Sequence, residues 1–157
     1  VQAMAREVNL LLDAPDGRLR AAGSLLRLRE HGDRQLITFK EAPSFKGAIK
    51  QRPEAETRIG DLAIMVEILD RLGFRTSMRY EKDREEWRMG EFSVVLDHTP
   101  MGDFVEVEGP AERLEQTAKS LGLEIADAVR GSYPSLWQDY RERHPEHDLP
   151  LDMVFPE

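Results

Sequence analysis

"EFSVVLDHTPMGDFVEVEG", residues 91–109, decides the fold. Two alternating runs flank Thr99-Pro100-Met101-Gly102, so the stretch reads as a β-hairpin. A four-residue loop at 99–102 pairs His98 with Asp103, and this register sets Asp97 opposite Phe104, Val95 opposite Glu106 and Ser93 opposite Glu108. Successive strand side chains point to opposite faces, so Asp97, Glu106 and Glu108 share one face. Asp97 is diagonal to Glu106, roughly 7–8 Å away and within reach of a shared ion. Like charges clustered in this way weaken a sheet and raise carboxylate pKa values unless something positive sits among them.

The same alternation recurs elsewhere. Arg27 and Arg29 share a face, as do Thr38 and Lys40, and then Arg52, Glu54 and Glu56. Lys82, Arg84, Glu86 and Arg88 share another, although Glu81, Asp83 and Glu85 charge the opposite side of the same strand. One such strand is the ordinary solvated face of a half-buried sheet. Several strands sorted by sign point instead to convergence on a charged ligand. The chain supports the sorting: residues 1–52 carry ten Lys/Arg and six Asp/Glu, whereas residues 97–157 carry five and fourteen. Turned inward, such a face forms a lumen in which arginine forks grip phosphate oxygens and Mg²⁺ or Mn²⁺ bridges carboxylates and phosphates.

At 157 residues the chain is long enough for one domain with a core, and 1–157 is read as one. The absence of cysteine excludes disulfides and thiolate chemistry, and the net charge of −8 argues against a nucleic-acid surface. No apolar run approaches the ~20 residues of a membrane span and the opening residues lack a signal-peptide pattern, so a cytoplasmic setting is expected. Residues 60–74, 110–123 and 134–143 have helical spacing, with Asp61 as a cap for the first. Residues 24–30 and 35–41 read as a hairpin, 42–51 as a loop, 52–58 as a short strand, Pro15-Asp16-Gly17 as a turn between strands, and 144–157 as irregular. His31 and His98 read as turn residues, and the H-x-x-H spacing of His144 and His147 lies in the polar tail. The class is α+β with an antiparallel sheet.

The ordered set "LLRLRE", "LITFKE", "RPEAE", "LGF…YEKDREEW", "VVLDHTPMGDFVEVEG" and "RGSYPSL" resembles the CYTH superfamily, the triphosphate tunnel metalloenzymes, over roughly residues 7–140. The resemblance is nearest to the class IV adenylate cyclase and thiamine triphosphatase branch. It implies an eight-stranded antiparallel β-barrel tunnel with a charged lumen and flanking helices. By that likeness Arg27, Arg29, Lys40, Arg52, Lys82 and Arg84 hold phosphates, and Glu54, Glu56, Asp97, Glu106 and Glu108 hold or orient Mg²⁺ or Mn²⁺. Two departures stand out. The family opens with an E-x-E-x-K strand and a helix, whereas "VQAMAREVNLLLD" resembles the segment after them, which leaves seven strands. The family's late Lys-Ser-Tyr is Gly131-Ser132-Tyr133 here, and Arg130 supplies a nearby charge.

The implied ligand is a triphosphate such as ATP, thiamine triphosphate or tripolyphosphate; nucleic acid and membranes are not expected partners, and a second copy of the chain is. The function read from the resemblance is conversion of ATP to cyclic AMP and pyrophosphate. The alternatives are a triphosphatase and a polyphosphate- or nucleotide-binding module without turnover. No catalytic residue is singled out.

Overall fold

The computed structural model describes residues 2–156. Its elements are β1 (Gln2–Asp13), α1 (Arg18–Ala21), β2 (Leu25–His31), β3 (Arg34–Lys40), β4 (Ser44–Lys46), β5 (Ile49–Gln51), β6 (Glu54–Arg58), α2 (Leu62–Arg71), β7 (Arg75–Met89), β8 (Phe92–Thr99), β9 (Gly102–Glu108), α3 (Ala111–Ser120) and α4 (Tyr133–Arg143). Among the described residues, seven strands form one antiparallel sheet in the order β6-β3-β2-β1-β7-β8-β9, and β4 and β5 form a small separate hairpin.

The β8–β9 hairpin has the expected register, with His98 opposite Asp103, Asp97 opposite Phe104, Val95 opposite Glu106 and Ser93 opposite Glu108. Thr99 also pairs with Gly102, so the connecting loop is only Pro100-Met101. Gly102 takes φ 127°, a conformation that side chains disfavour.

β1 is the middle strand of the sheet, paired with β2 on one side and β7 on the other. Two segments differ from expectation. Residues 42–51, read as a loop, form β4–β5, which turns at Gly47 with φ 62°. The turn after Asp13 leads into the short helix α1, because the Asp13 carboxylate accepts hydrogen bonds from the Leu19 and Arg20 amides.

One face of the sheet is apolar. Leu12, Leu26 and Leu28 pack with Leu69 of α2, joined by Leu10, Ile37, Leu62, Met65 and Val66. Asp61 caps α2 through its bond from the Ile64 amide, and Gly73, with φ 90°, ends it. The opposite face carries the charge. The β4–β5 hairpin lies by this face, with β5 in contact with α3, the helix that follows β9. At one end of this face α4 and the tail are docked: Trp137 and Met153 pack on Met78 and Tyr80, and Met153 bridges to Tyr80. Among the described residues, no helix is long and apolar enough to cross a membrane.

Candidate functional site

The middle strand organises the charged face. Glu7, Asn9 and Leu11 point into it. Glu7 is opposed by His31 and Lys82, Asn9 by Arg29 and Tyr80, and Leu11 by Arg27 and Met78. Glu7 has no exposed surface. Burial alone pushes its carboxyl group up, but Lys82, Arg29 and Arg84 outweigh burial and hold the pKa down at about 2. Its Oε1 lies 3.3 Å from Arg29 Nε and 3.4 Å from Lys82 Nζ, and accepts a 3.0 Å bond from Asn9 Nδ2. Arg29 Nε in turn donates to Asn9 Oδ1 at 3.0 Å.

A second cluster forms around Asp97, itself buried. Lys82 Nζ donates to Asp97 Oδ2 at 2.9 Å, and Arg84 grips Asp97 with Nε and Nη2 at 2.7 and 2.6 Å. The Tyr133 hydroxyl, delivered by the first turn of α4, donates to Asp97 Oδ2 at 2.6 Å. Burial pushes the Asp97 carboxyl up, but Arg84 and Lys82 hold it below the usual carboxylate range. Burial, reinforced by Glu106 and Asp97, drives the Tyr133 phenol well above its ordinary value. Arg84 also bonds Glu106 at 2.8 Å and lies 3.9 Å from Glu7, so one guanidinium serves three acids.

On the other side of β1, Arg27 donates to Thr38 Oγ1, which donates to Glu56 at 2.7 Å. Lys40 pairs with Glu54 at 2.5 Å. The structure therefore brings together Arg27, Arg29, Lys40, Lys82, Arg84, Glu54, Glu56, Asp97 and Glu106, with the exposed Glu108 farther along β9 on the same face. Arg52 lies just before β6 and spends its guanidinium on the Glu41 and Gly23 carbonyls. Arg130 is exposed and donates to the Gly47 carbonyl, tying the β4–β5 turn to the segment before α4.

Sequence reading missed Glu7, Asn9 and His31. His31 is buried on the same face, directly across from Glu7. Arg34 donates to its Nδ1 at 3.5 Å, and because arginine only donates, the neutral ring carries its proton on Nε2. Burial lowers the imidazole pKa, which favours that neutral form. The signal was available in the strand period: His31 is two residues beyond Arg29 and four beyond Arg27.

Among the described residues, three buried side-chain atoms lack a hydrogen-bond partner: Glu7 Oε2, Arg27 Nε and His31 Nε2. All three belong to this one face. Buried polar groups are nearly always satisfied, so an acceptor and two donors orphaned together mark a place for a ligand with its ions or water. The donor set also suits a hard cation. Glu7 offers a free, ionised oxygen, and Glu56 and Glu106 face the same space while retaining side-chain exposure of 37% and 36%. Asp97 is engaged by Lys82, Arg84 and Tyr133. A separate cluster, His144, Glu146 and His147, lies on the surface beyond α4 with ligating atoms within 4.8 Å of one another.

A family model, that of the CYTH domain, matches residues 5–133. No curated protein matches the chain. Among solved structures, the fold is similar to that of a proposed adenylate cyclase from Vibrio parahaemolyticus (TM-score 0.76, 23% identity, covering 88% of this chain and 83% of that one). It is also similar to a Pyrococcus horikoshii protein (TM-score 0.69, 22% identity, 89% of each chain). A third is a proposed adenylyl cyclase from Hippeastrum with a dominant triphosphatase activity (TM-score 0.68, 16% identity, 97% of this chain and 87% of that one).

Proposed function

This chain belongs to the CYTH domain family, which is metal-dependent and acts on triphosphates, and from that premise we propose that its charged face binds a triphosphate and processes it as a class IV adenylate cyclase-like enzyme. The observation that carries this reading is the trio of buried, unpartnered atoms on Glu7, Arg27 and His31, set among Arg29, Lys82 and Arg84.

Arg27, Arg29 and Lys40 grip phosphate oxygens from the β2–β3 side, and Lys82 and Arg84, fixed by Asp97, do so from the β7 side. His31 adds a neutral Nε2–H donor to a phosphate oxygen without adding charge. Glu7, Glu56, Glu106 and Glu108 hold Mg²⁺ or Mn²⁺, which when bound neutralises phosphate charge and polarises the reacting phosphorus. The acids and bases are already ordered around one another, so little reorganisation opposes the reaction. In cyclisation the ribose 3′-hydroxyl attacks the α-phosphorus and pyrophosphate departs. In hydrolysis water displaces the terminal phosphoryl group, and the activity named for the Hippeastrum structure favours this as the second reading.

Purified protein with ATP and Mn²⁺ separates these: cyclic AMP with pyrophosphate supports the cyclase, and orthophosphate supports the triphosphatase. Binding without product under any divalent metal selects a binding module. Absence of any triphosphate binding overturns the proposal.

A further inference from the structure

Away from the charged face, α4 ends in a column of packed rings. Trp137, buried with Met78 and Met153, stacks on Tyr140 with centroids 5.6 Å and planes 10° apart. Tyr140 lies 4.5 Å from His144, and His144 lies 5.8 Å from His147. His144 closes α4, and Pro145–His147 forms a single 3₁₀ turn. That turn brings His147 back beside His144, with the His147 amide donating to the His144 carbonyl at 3.2 Å. The two imidazoles are thus held by packing that runs back to the core. They sit at the end of α4 opposite Tyr133, and the helix is 11 residues long, about 16 Å, so the cluster is distinct from the charged face.

Both rings turn a nitrogen toward one oxygen of Glu146. His144 Nδ1 lies 3.3 Å and His147 Nε2 lies 3.4 Å from Glu146 Oε1. These separations are long for charge-assisted hydrogen bonds, which run about 2.7–2.9 Å. They match the edge of a ligand tetrahedron around Zn²⁺: bonds of about 2.0–2.1 Å at the tetrahedral angle set neighbouring ligand atoms about 3.3–3.4 Å apart. All three ligating atoms lie within 4.8 Å of one another, so a small side-chain rotation closes the remaining edge. The His144 side chain is 38% exposed and those of Glu146 and His147 58%, which leaves a fourth position open to water. Two imidazoles and a carboxylate suit a borderline metal, whereas Mg²⁺ takes sets of oxygens.

The cluster also lies where the chain leaves α4 for the tail. Arg141 Nε donates to the Leu149 carbonyl, and Trp137 Nε1 to those of Pro150 and Leu151. An ion shared by His144, Glu146 and His147 locks the turn between the helix and these contacts.

We propose that His144, Glu146 and His147 form a Zn²⁺ site, with water as the fourth ligand, that clamps the end of α4 to the tail. This site is independent of the triphosphate chemistry.

The test is calorimetric titration of the full chain with zinc chloride in excess Mg²⁺, which competes for the oxygen ligands of the charged face. One equivalent of Zn²⁺ is expected to bind in a step that His147→Ala weakens by about 100-fold or more, at least the effect of losing a residue that only orients a ligand. His147 is exposed, so its removal leaves the core undisturbed. Glu146→Gln, which keeps the shape and removes the charge, is expected to weaken that step by about tenfold or more. Zn²⁺ is further expected to raise the thermal midpoint of the wild-type chain and not that of His147→Ala. Failure of Zn²⁺ to bind, or binding to both variants as tight as to the wild type, overturns the site. Binding that leaves the thermal midpoint unmoved overturns the clamp.

Discussion

The two ends of the inner face are built on different physics. Around Glu7 and Asp97 the wall is ionic and hydrogen-bonded, and each acid has three partners: Asp97 is held by Lys82, Arg84 and the Tyr133 hydroxyl, Glu7 by Arg29, Lys82 and Arg84. Around Leu11 the wall is shaped by packing of Met78, Tyr80 and Trp137. The contrast teaches that a single strand, β1, can carry a recognition surface that changes character over four residues. The ionic end is strongly position-sensitive, because removing one member strands the rest in a desolvated place. The apolar end is tolerant, because its contacts are non-directional and partly wet.

The sharpest break between the ends comes from Asp97→Ala, which leaves Lys82 and Arg84 without their shared acid. It is expected to cost about 3–5 kcal/mol, read as a lower denaturant midpoint. Acid is the next probe. The pKa of Glu7 is about 2 in the folded chain, below its ordinary 4.5. It therefore contributes stability that is fully present above about pH 4.5 and lost as pH falls toward 2, on the order of 3 kcal/mol. Glu7→Gln should flatten the stability–pH profile in that window. If the variant's profile matches that of the wild type, Glu7 is not held by its cations. Arg29→Met should weaken triphosphate binding by about 100-fold in titration, since a buried charge-assisted contact is lost. The smallest effect belongs to the other end: Leu11→Ala should cost about 1 kcal/mol, below the usual range for a fully buried leucine, and leave tripolyphosphate affinity within about twofold. A loss there as large as that of Asp97→Ala would erase the distinction between the two ends.

The β8–β9 register was readable because valine and glutamate alternate strictly and a short turn fixes the pairing. The same regularity made Arg27, Arg29 and Lys40 legible on β2 and β3. The strand before Pro15 was legible, but its inward residues Glu7 and Asn9 were not, because three consecutive leucines at 10–12 mask a period of two. His31 was hidden by its neighbour Gly32, which signals a turn, since its burial comes from Glu7 on another strand. The hairpin β4–β5 was missed because its strands are three residues long and carry little pattern. The double-sided charge of β7 resolves spatially: Lys82 and Arg84 turn inward, whereas Glu81 and Asp83 pair with Arg6 and Glu81 also with Arg79.

The position of β1 between β2 and β7 bears on how the chain is made. Its β2 partners lie within 24 residues, as Glu7 and His31 do, but its β7 partners are 62 to 84 residues away. During synthesis one edge of β1 is paired early and the other stays bare until Arg75–Met89 has emerged, with Glu7 meeting Lys82 only then. An unpaired strand edge is a template for wrong partners. Pairing of β7 with β1 therefore closes a far longer loop than pairing of β2, and a chain lacking residues 75–89 leaves a strand edge exposed.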